Sequence, residues 1–254
     1  MIDISIIGTG NVARHLFKAF YEAKGVRINW VITRKITEKK RDAFREFLSD
    51  DFGRIEESDI TILSVNDDAI AKVAKKIKDT GGLLAHTSGN TSISELLPVR
   101  RRGVFYPLQS FSAEKEIDYR QMPLCLEANT EEDLILLKKL AASISSAVYQ
   151  IDSEQRSSLH LSAVFINNFS NHMVTLGKEI CQEQRIPFEI FQPLLNETFE
   201  KLERLSPEAA QTGPALRNDQ KTINSHLQKL GSGIKKDIYE ILTRSIQNSH
   251  GKKL

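Results

Sequence analysis

Apolar and polar positions alternate in blocks along the first half of the chain. The first apolar run contains Ile4, Ile6 and Ile7 and predicts a buried strand, and the segment from about residue 11 to 24 follows with a helical period. Further apolar runs predict strands at residues 28–33, 59–65, 82–88, 103–107, 123–128 and 147–151, with helices at 38–48, 67–78, 92–97 and 130–144. Strands that alternate with helices predict an α/β fold with a doubly wound, mostly parallel sheet.

The pattern changes near Asp152, because only helical spacing is found from there to the end of the chain. We therefore predict two domains, an α/β domain at residues 1–151 and an all-helical domain at residues 152–254. The first helix of the second domain, about residues 153–184, is long for a globular element. Such helices commonly pack against a partner subunit, so we expect a homodimer.

The composition of the chain further restricts the number of domains and the partners that we expect. A length of 254 residues favours two domains, and an apolar content of 40% is ample for a core. The chain has 35 basic and 33 acidic residues, and this balance gives no argument for nucleic acid or membrane as a partner. The start of the chain lacks a signal-peptide pattern, so we expect a soluble cytoplasmic protein. Cys125 and Cys181 have no metal-ligand spacing, and we expect no disulfide framework and no metal site.

A glycine motif follows the first strand, where residues 8–13 read Gly-Thr-Gly-Asn-Val-Ala. Gly8 permits a tight turn, Gly10 lets the backbone approach a pyrophosphate, and Ala13 allows close packing of helix on strand. The N–H groups at the start of the helix can then bind the anion. The motif alone also occurs in ordinary turns, but here it lies between a buried strand and an amphipathic helix. We therefore predict a Rossmann domain in which a dinucleotide is bound by Gly8, Gly10, Asn11 and Val12.

Basic residues at the end of the second strand bear on the choice of cofactor. NAD sites usually place Asp or Glu here to hold the ribose 2′-hydroxyl. This chain has Thr33, Arg34 and Lys35, and the next carboxylate is Glu38. Arg34 can pair with a 2′-phosphate, Thr33 can donate a hydrogen bond, and Lys35 or Lys39 can add charge, although both lysines also suit a solvated helix. We therefore expect NADP(H) as the cofactor.

The ends of the later strands supply further candidates, because ligands of an open parallel sheet lie beyond the carboxyl ends of its strands. Three segments follow predicted strands in this way, at residues 64–67, 86–89 and 107–110. We expect Ser64 and Val65 to bind the cofactor, and His86 and Ser88 to line its nicotinamide end.

Polar side chains interrupt the apolar face of the long helix. At α-helical spacing His160, Asn167 and Asn171 form one stripe, with Asn168 and His172 on a neighbouring line. Buried polar groups need partners, so these positions suit either a functional site or satisfied polar residues in a core or dimer interface.

A second polar cluster, at residues 211–219, precedes a predicted helix. Asn218 or Asp219 can cap this helix. Capping does not explain Arg217, which suits a carboxylate-bearing substrate or, alternatively, a structural salt bridge.

The chain resembles the Rossmann-like oxidoreductases that carry a helical C-terminal domain of the DUF2520 type. These are related in layout to ketopantoate reductase, pyrroline-5-carboxylate reductase and the 6-phosphogluconate dehydrogenase C-terminal-domain superfamily. The resemblance spans nearly the whole chain, and the motifs that carry it lie at residues 8–13, 86–89, 106–109, 160–168, 212–219 and 226–227. It implies NADP(H) binding, a helical dimerising domain and a cleft between the two domains.

One departure from the superfamily concerns the catalytic group. β-Hydroxyacid dehydrogenases place a catalytic Lys about one turn before an Asn on the first long helix, whereas residues 164–166 of this chain are Val, Phe and Ile. We therefore expect His160 to transfer the proton, Asn168 to orient substrate or cofactor, and Arg217 to bind the substrate carboxylate. The predicted function is NADP(H)-dependent hydride transfer to or from a small carbonyl, imine or hydroxyacid compound. A non-catalytic NADP(H)-binding sensor or partner protein is the alternative.

Overall fold

A computed structural model describes residues 1–77, 81–113 and 115–250. Eight strands form one sheet: β1 Ile2–Ile7, β2 Val26–Ile32, β3 Leu48–Ser49, β4 Ile60–Leu63, β5 Leu83–His86, β6 Arg102–Pro107, β7 Leu124–Ala128 and β8 Val148–Gln150. Their order across the sheet is β3-β2-β1-β4-β5-β6-β7-β8. The pair β6 and β7 is antiparallel and the other neighbouring pairs are parallel, so the predicted mostly parallel sheet is confirmed. The carboxyl ends of β1, β2, β4, β5 and β6 therefore meet at one edge.

Helices occupy the connections in the first half and nearly all of the second half. They are α1 Asn11–Glu22, α2 Glu38–Phe44, α3 Asp67–Ala74, α4 Glu131–Ala142, α5 Ser153–Ala163, α6 Ser170–Glu183, α7 Gln192–Arg204, α8 Pro207–Ala210, α9 Gln220–Leu230 and α10 Ile234–His250. A π-helical segment, Val164–Phe169, joins α5 to α6 without a break, which agrees with the long helix predicted at 153–184. None of the helices in the described residues is long and apolar enough to cross a membrane.

Two short elements differ from their predictions. The helix predicted at 38–48 is wrong beyond Phe44, because Arg45 adopts a positive φ of 53° and a 3-10 turn leads into β3. The segment predicted as a helix at 92–97 is a 3-10 turn, Ile93–Leu96. A strand of two residues and a single helical turn are too short to show a periodic pattern of apolar positions in the sequence. The last residue of the helix predicted at 67–78, and residues 251–254 of the predicted helical domain, lie outside the described residues.

The core lies on both faces of the sheet. Ile4 and Ile6 of β1 pack in one buried cluster with Leu16 and Phe20 of α1, whereas Ile7 packs in a second cluster with residues that include Ile70 of α3 and Leu96. Successive strand residues point to opposite faces, which is why one strand contributes to both clusters.

Packing divides the chain into two compact units, Met1–Asn168, which we call the sheet unit, and the remainder from Phe169, which we call the helical unit. The sheet unit includes α5, which the sequence assigned to the helical domain. The functional division at residues 151 and 152 stays a prediction.

Candidate functional site

The glycine turn after β1 has the backbone geometry that an anion site requires. Gly8 has a φ of +121°, and a Cβ there would lie 1.9 Å from the carbonyl oxygen of Ser64, so only glycine fits. A Cβ on Gly10 would meet no described atom within 4 Å, and Gly10 precedes α1 without a side-chain cap. The first turn of α1 also contains no acidic residue. Its N–H groups are therefore available to an anion such as a pyrophosphate.

The first helical turn also contacts the segment after β6. The Asn11 amide donates a hydrogen bond to the carbonyl oxygen of Phe111 at 3.1 Å, and Val12 is half-buried against the core. One turn later, His15 lies 2.8 Å from the Ser112 carbonyl oxygen and 3.0 Å from the Tyr119 hydroxyl oxygen. These contacts hold this segment against the start of α1.

The end of β2 carries basic groups, as the sequence predicts. Thr33 is buried, and its backbone N–H donates to the carbonyl oxygen of Ser49 at 2.9 Å. The side chains of Arg34 and Lys35 are exposed. The ammonium of Lys40, which sequence reasoning did not select, donates to Thr33 Oγ1 and to the Lys35 carbonyl oxygen, each at 2.7 Å.

Ser64 and Val65 follow β4 at the same edge. The Ser64 N–H donates to the Ile7 carbonyl oxygen at 2.8 Å, and its own carbonyl faces Gly8. Val65 is half-buried, with Cγ1 in ordinary contact distance of a Cβ at Gly8. Both residues thus form the wall of the glycine turn.

The side chains of His86 and Ser88 form hydrogen bonds within the segment that follows β5, residues 87–93, which we call the β5 loop. His86 is fully buried, and the Ser88 N–H donates to its Nδ1 at 3.2 Å. Burial, reinforced by the positive charge of Arg156 and opposed in part by the Ser92 backbone, lowers the pKa of His86 to about 3, so this imidazole is neutral near pH 7. The Ser88 hydroxyl accepts from the N–H groups of Asn90 and Thr91 and donates to Thr91 Oγ1.

His160 pairs with a tyrosine at the end of β6. Its Nδ1 lies 3.1 Å from the Tyr106 hydroxyl oxygen, and the two rings meet edge to face. A Cβ on Gly89 would lie 2.6 Å from Nδ1 of His160 and 2.8 Å from Cζ of Tyr106, so a side chain there would displace one of them. No described residue donates to or accepts from Nε2 of His160. Burial raises the pKa of Tyr106, with a smaller effect from Cys125, which keeps this side chain a neutral phenol.

A buried ion pair one turn earlier fixes α5. Arg156 is 1% exposed, forms an ion pair with Glu127 of β7, and donates to the Thr91 carbonyl oxygen at 2.6 Å. Ser153 donates to Glu127 and accepts from the N–H of Ile93 at 3.1 Å. These bonds attach α5 to β7 and to the β5 loop, and they set the direction in which His160 projects.

Asn168 lies in the π-helical segment and is exposed. A π turn contains one residue more than an α turn, so it rotates the residues that follow. The stripe predicted from His160 to Asn171 at α-helical spacing is therefore interrupted. Within the described part of the chain, the Asn168 side chain has no hydrogen bond, and its role stays a prediction.

Arg217 lies in the helical unit, just before α9. Asp219 caps that helix, because its carboxylate accepts from the N–H and the hydroxyl of Thr222, and these bonds lower the pKa of Asp219. The Arg217 side chain is exposed, and among the described residues it forms no ion pair. Its role as a substrate ligand stays a prediction.

Comparison with known proteins gives the family. The DUF2520 family, a domain of unknown function, matches residues 122–246. A crystal structure from Bacteroides fragilis, named as an NADP oxidoreductase, is 37% identical, covers 97% of this chain and 98% of its own, and has a TM-score of 0.87. The chain belongs to this family of Rossmann-like, DUF2520-containing oxidoreductases. The resemblance inferred from its motifs is thus confirmed, and the relative's name agrees with the predicted cofactor and reaction class.

More distant structures share the fold of this DUF2520 protein. A Thermotoga maritima protein is 21% identical, with a TM-score of 0.77 and coverage of 96% of this chain and 98% of its own. An imine reductase from Myxococcus stipitatus in complex with NADP+ is 16% identical, with a TM-score of 0.68 and coverage of 98% and 96%. The comparison with curated proteins found no match.

Sequence reasoning missed the partners of His160 in this DUF2520 protein. Tyr106 and Gly89 both lie in motifs that the sequence singled out. Tyr106 lies near the end of β6 and Gly89 follows β5, and both strands end at one edge of the sheet. The shared strand edge could therefore have indicated that these two residues lie close together. Lys40 is the third residue of a helix that begins at Glu38, a position that faces back toward the loop before the helix.

Proposed function

We propose that this chain is an NADP(H)-dependent oxidoreductase that acts on a small carbonyl, imine or hydroxyacid compound, for example a ketoacid of the ketopantoate kind. The observation that carries the proposal is the glycine turn, where open space in front of Gly10 meets the uncapped start of α1. Gly8, Gly10, Asn11 and Val12 would hold the pyrophosphate, and Thr33, Arg34 and Lys35 the adenosine end. The cofactor, when bound, supplies or accepts a hydride.

His160 would supply the proton. In the reducing direction the imidazolium gives its Nε2 proton to the substrate heteroatom, and its Nδ1–H donates to the Tyr106 oxygen before and after that transfer. A phenol can also donate to Nδ1 when the imidazole carries its proton on Nε2, so the pair is satisfied in each state. Burial keeps Tyr106 protonated, which suits this supporting role.

Two further roles rest on residue type. The exposed guanidinium of Arg217 would bind a substrate carboxylate, since its planar donors match that group. The amide of Asn168 would orient the substrate or the nicotinamide carboxamide.

We also propose that the helical unit forms a homodimer. Its exposed large apolar side chains include Ile190, Leu194, Phe199 and Leu202 on and before α7, each at least 47% exposed. Several large apolar side chains exposed to this extent on one segment are typical of a protein interface.

Oxidation of NADPH, followed by absorbance, across a panel of ketoacids, aldehydes and cyclic imines tests the catalytic proposal. We expect turnover with one class and a loss of at least about 100-fold in His160→Ala. Full turnover in that variant on an identified substrate would remove the proposed proton donor. Stoichiometric NADPH binding without turnover on any compound would instead favour the non-catalytic binding protein, which the absence of the superfamily lysine leaves as the second candidate.

A further inference from the structure

An ammonium group is held in a fixed place beside the end of β2. The Lys40 side chain is half-buried, and two of its donor bonds go to Thr33 Oγ1 and the Lys35 carbonyl oxygen, each at 2.7 Å. An ammonium has one more N–H than these two bonds use. Among the residues that the structure describes, no carboxylate forms an ion pair with Lys40. Its positive charge is thus positioned, and no carboxylate of the described residues neutralises it.

The neighbouring cations lack this fixation. Arg34, Lys35 and Lys39 are exposed, and no side-chain hydrogen bond holds any of them among the described residues. Holding a flexible exposed side chain on a ligand costs conformational entropy, whereas Lys40 has already been ordered by its two bonds. Lys40 is therefore the cation at this strand end that is best prepared to bind an anion.

We propose that Lys40 is the residue that distinguishes NADP(H) from NAD(H), with its remaining N–H donated to the 2′-phosphate of the adenosine ribose. The inference rests on the proposed function, because the ribose of a bound dinucleotide lies near the end of the second strand in this fold. Thr33 acts through Lys40 as a positioning residue. Its hydroxyl accepts from the ammonium and fixes its direction.

The test compares Lys40→Gln with Lys39→Gln, a matched change at the adjacent, exposed position. Calorimetric titration of each protein would use four probes: NADPH, NADH, adenosine 2′,5′-bisphosphate and adenosine 5′-monophosphate. We expect Lys40→Gln to weaken NADPH and the bisphosphate by about 10-fold or more and to leave the other two within about twofold, since a hydrogen bond to a charged group is lost. Lys39→Gln should change all four by less than about threefold.

Two results would overturn the assignment while the proposed function stands. Equal weakening of all four probes would mean that Lys40 only supports the loop, and unchanged selectivity would mean that another cation reads the phosphate. A wild-type protein that binds neither dinucleotide would remove the proposed function itself. If Lys40→Gln fails to fold, Thr33→Val keeps the charge but removes its anchor. We then expect a loss of NADPH selectivity of about threefold to tenfold, and unchanged selectivity would also overturn the inference.

Discussion

The sheet unit and the helical unit differ sharply in how they bury apolar side chains. In the sheet unit, strand residues such as Ile4, Ile62 and Phe105 are 0% exposed and form continuous clusters with the flanking helices. Among the described residues of the helical unit, the buried apolar side chains are Cys181, Ala215 and Ile223. Several of its largest apolar side chains are instead about half exposed or more.

This difference separates a unit that buries its large apolar side chains internally from one that leaves many of them exposed. Burial of a large apolar side chain stabilises a fold by about 1.5–3 kcal/mol. The exposed apolar side chains of the helical unit do not contribute this stabilisation. The candidate site residues also differ between the two units in whether other side chains hold them in place. Tyr106, His160 and Lys40 have fixed partners within the sheet unit, whereas Arg217 is exposed.

Removing one large ring from each unit should give the largest contrast. Phe105→Ala would leave a cavity in the sheet unit and should lower the free energy of unfolding by about 3–5 kcal/mol. Phe199→Ala, at a position 55% exposed, should cost less than about 1 kcal/mol in the monomer. Urea unfolding at low protein concentration measures both. Equal losses would contradict the contrast between the units.

Breaking the buried ion pair should have the next largest effect, because it leaves a largely buried carboxylate without its counter-charge. Arg156→Met leaves the Glu127 carboxylate with the Ser153 hydrogen bond but without its ion-pair partner, and should destabilise the sheet unit by about 3 kcal/mol. The double variant Arg156→Met with Glu127→Met removes both charges and should recover part of that loss. If the double variant is as unstable as the single one, uncompensated charge is not the cause.

The sequence was sufficient where a structure is specified by neighbouring residues. The apolar period of Ile4, Ile6 and Ile7 predicts β1, and the turn at Gly8 and Gly10 depends on local backbone freedom. The two-residue β3 was missed because it is defined by its pairing with β2 and not by its own pattern.

The side-chain partners in the candidate site could not be predicted from the sequence in the same way. His160 and Arg156 are one turn apart on α5, yet their partners Tyr106 and Glu127 come from β6 and β7. Tertiary packing alone selects those pairs. The π segment adds a second limit, since its extra residue per turn changes which side chains share a face.

A charged side chain introduced on α7 should test whether the exposed apolar residues of the helical unit form the proposed dimer interface. Leu194→Glu, at a position 57% exposed in the chain alone, should weaken the proposed dimer by at least about 10-fold, because a carboxylate would be desolvated in the interface. Ile135→Glu on α4 is the matched control at a position 45% exposed in the sheet unit, and it should leave the dimer intact. Sedimentation equilibrium measures both. A wild-type chain that stays monomeric at high concentration would refute the dimer.

The smallest effect should come from two similar tyrosine–histidine pairs, one in each unit. Tyr106 meets His160 at 3.1 Å in the sheet unit, and Tyr239 meets His226 at 2.9 Å in the helical unit, both edge to face. Tyr106→Phe and Tyr239→Phe should each cost about 1 kcal/mol of stability, the net value of one hydrogen bond. Only Tyr106→Phe should also lower the rate of NADPH oxidation, by about fivefold, because His160 loses the hydroxyl that holds its Nδ1 in place. Rates that fall equally in both variants, or in Tyr239→Phe alone, would show that the sheet unit does not hold the proton donor.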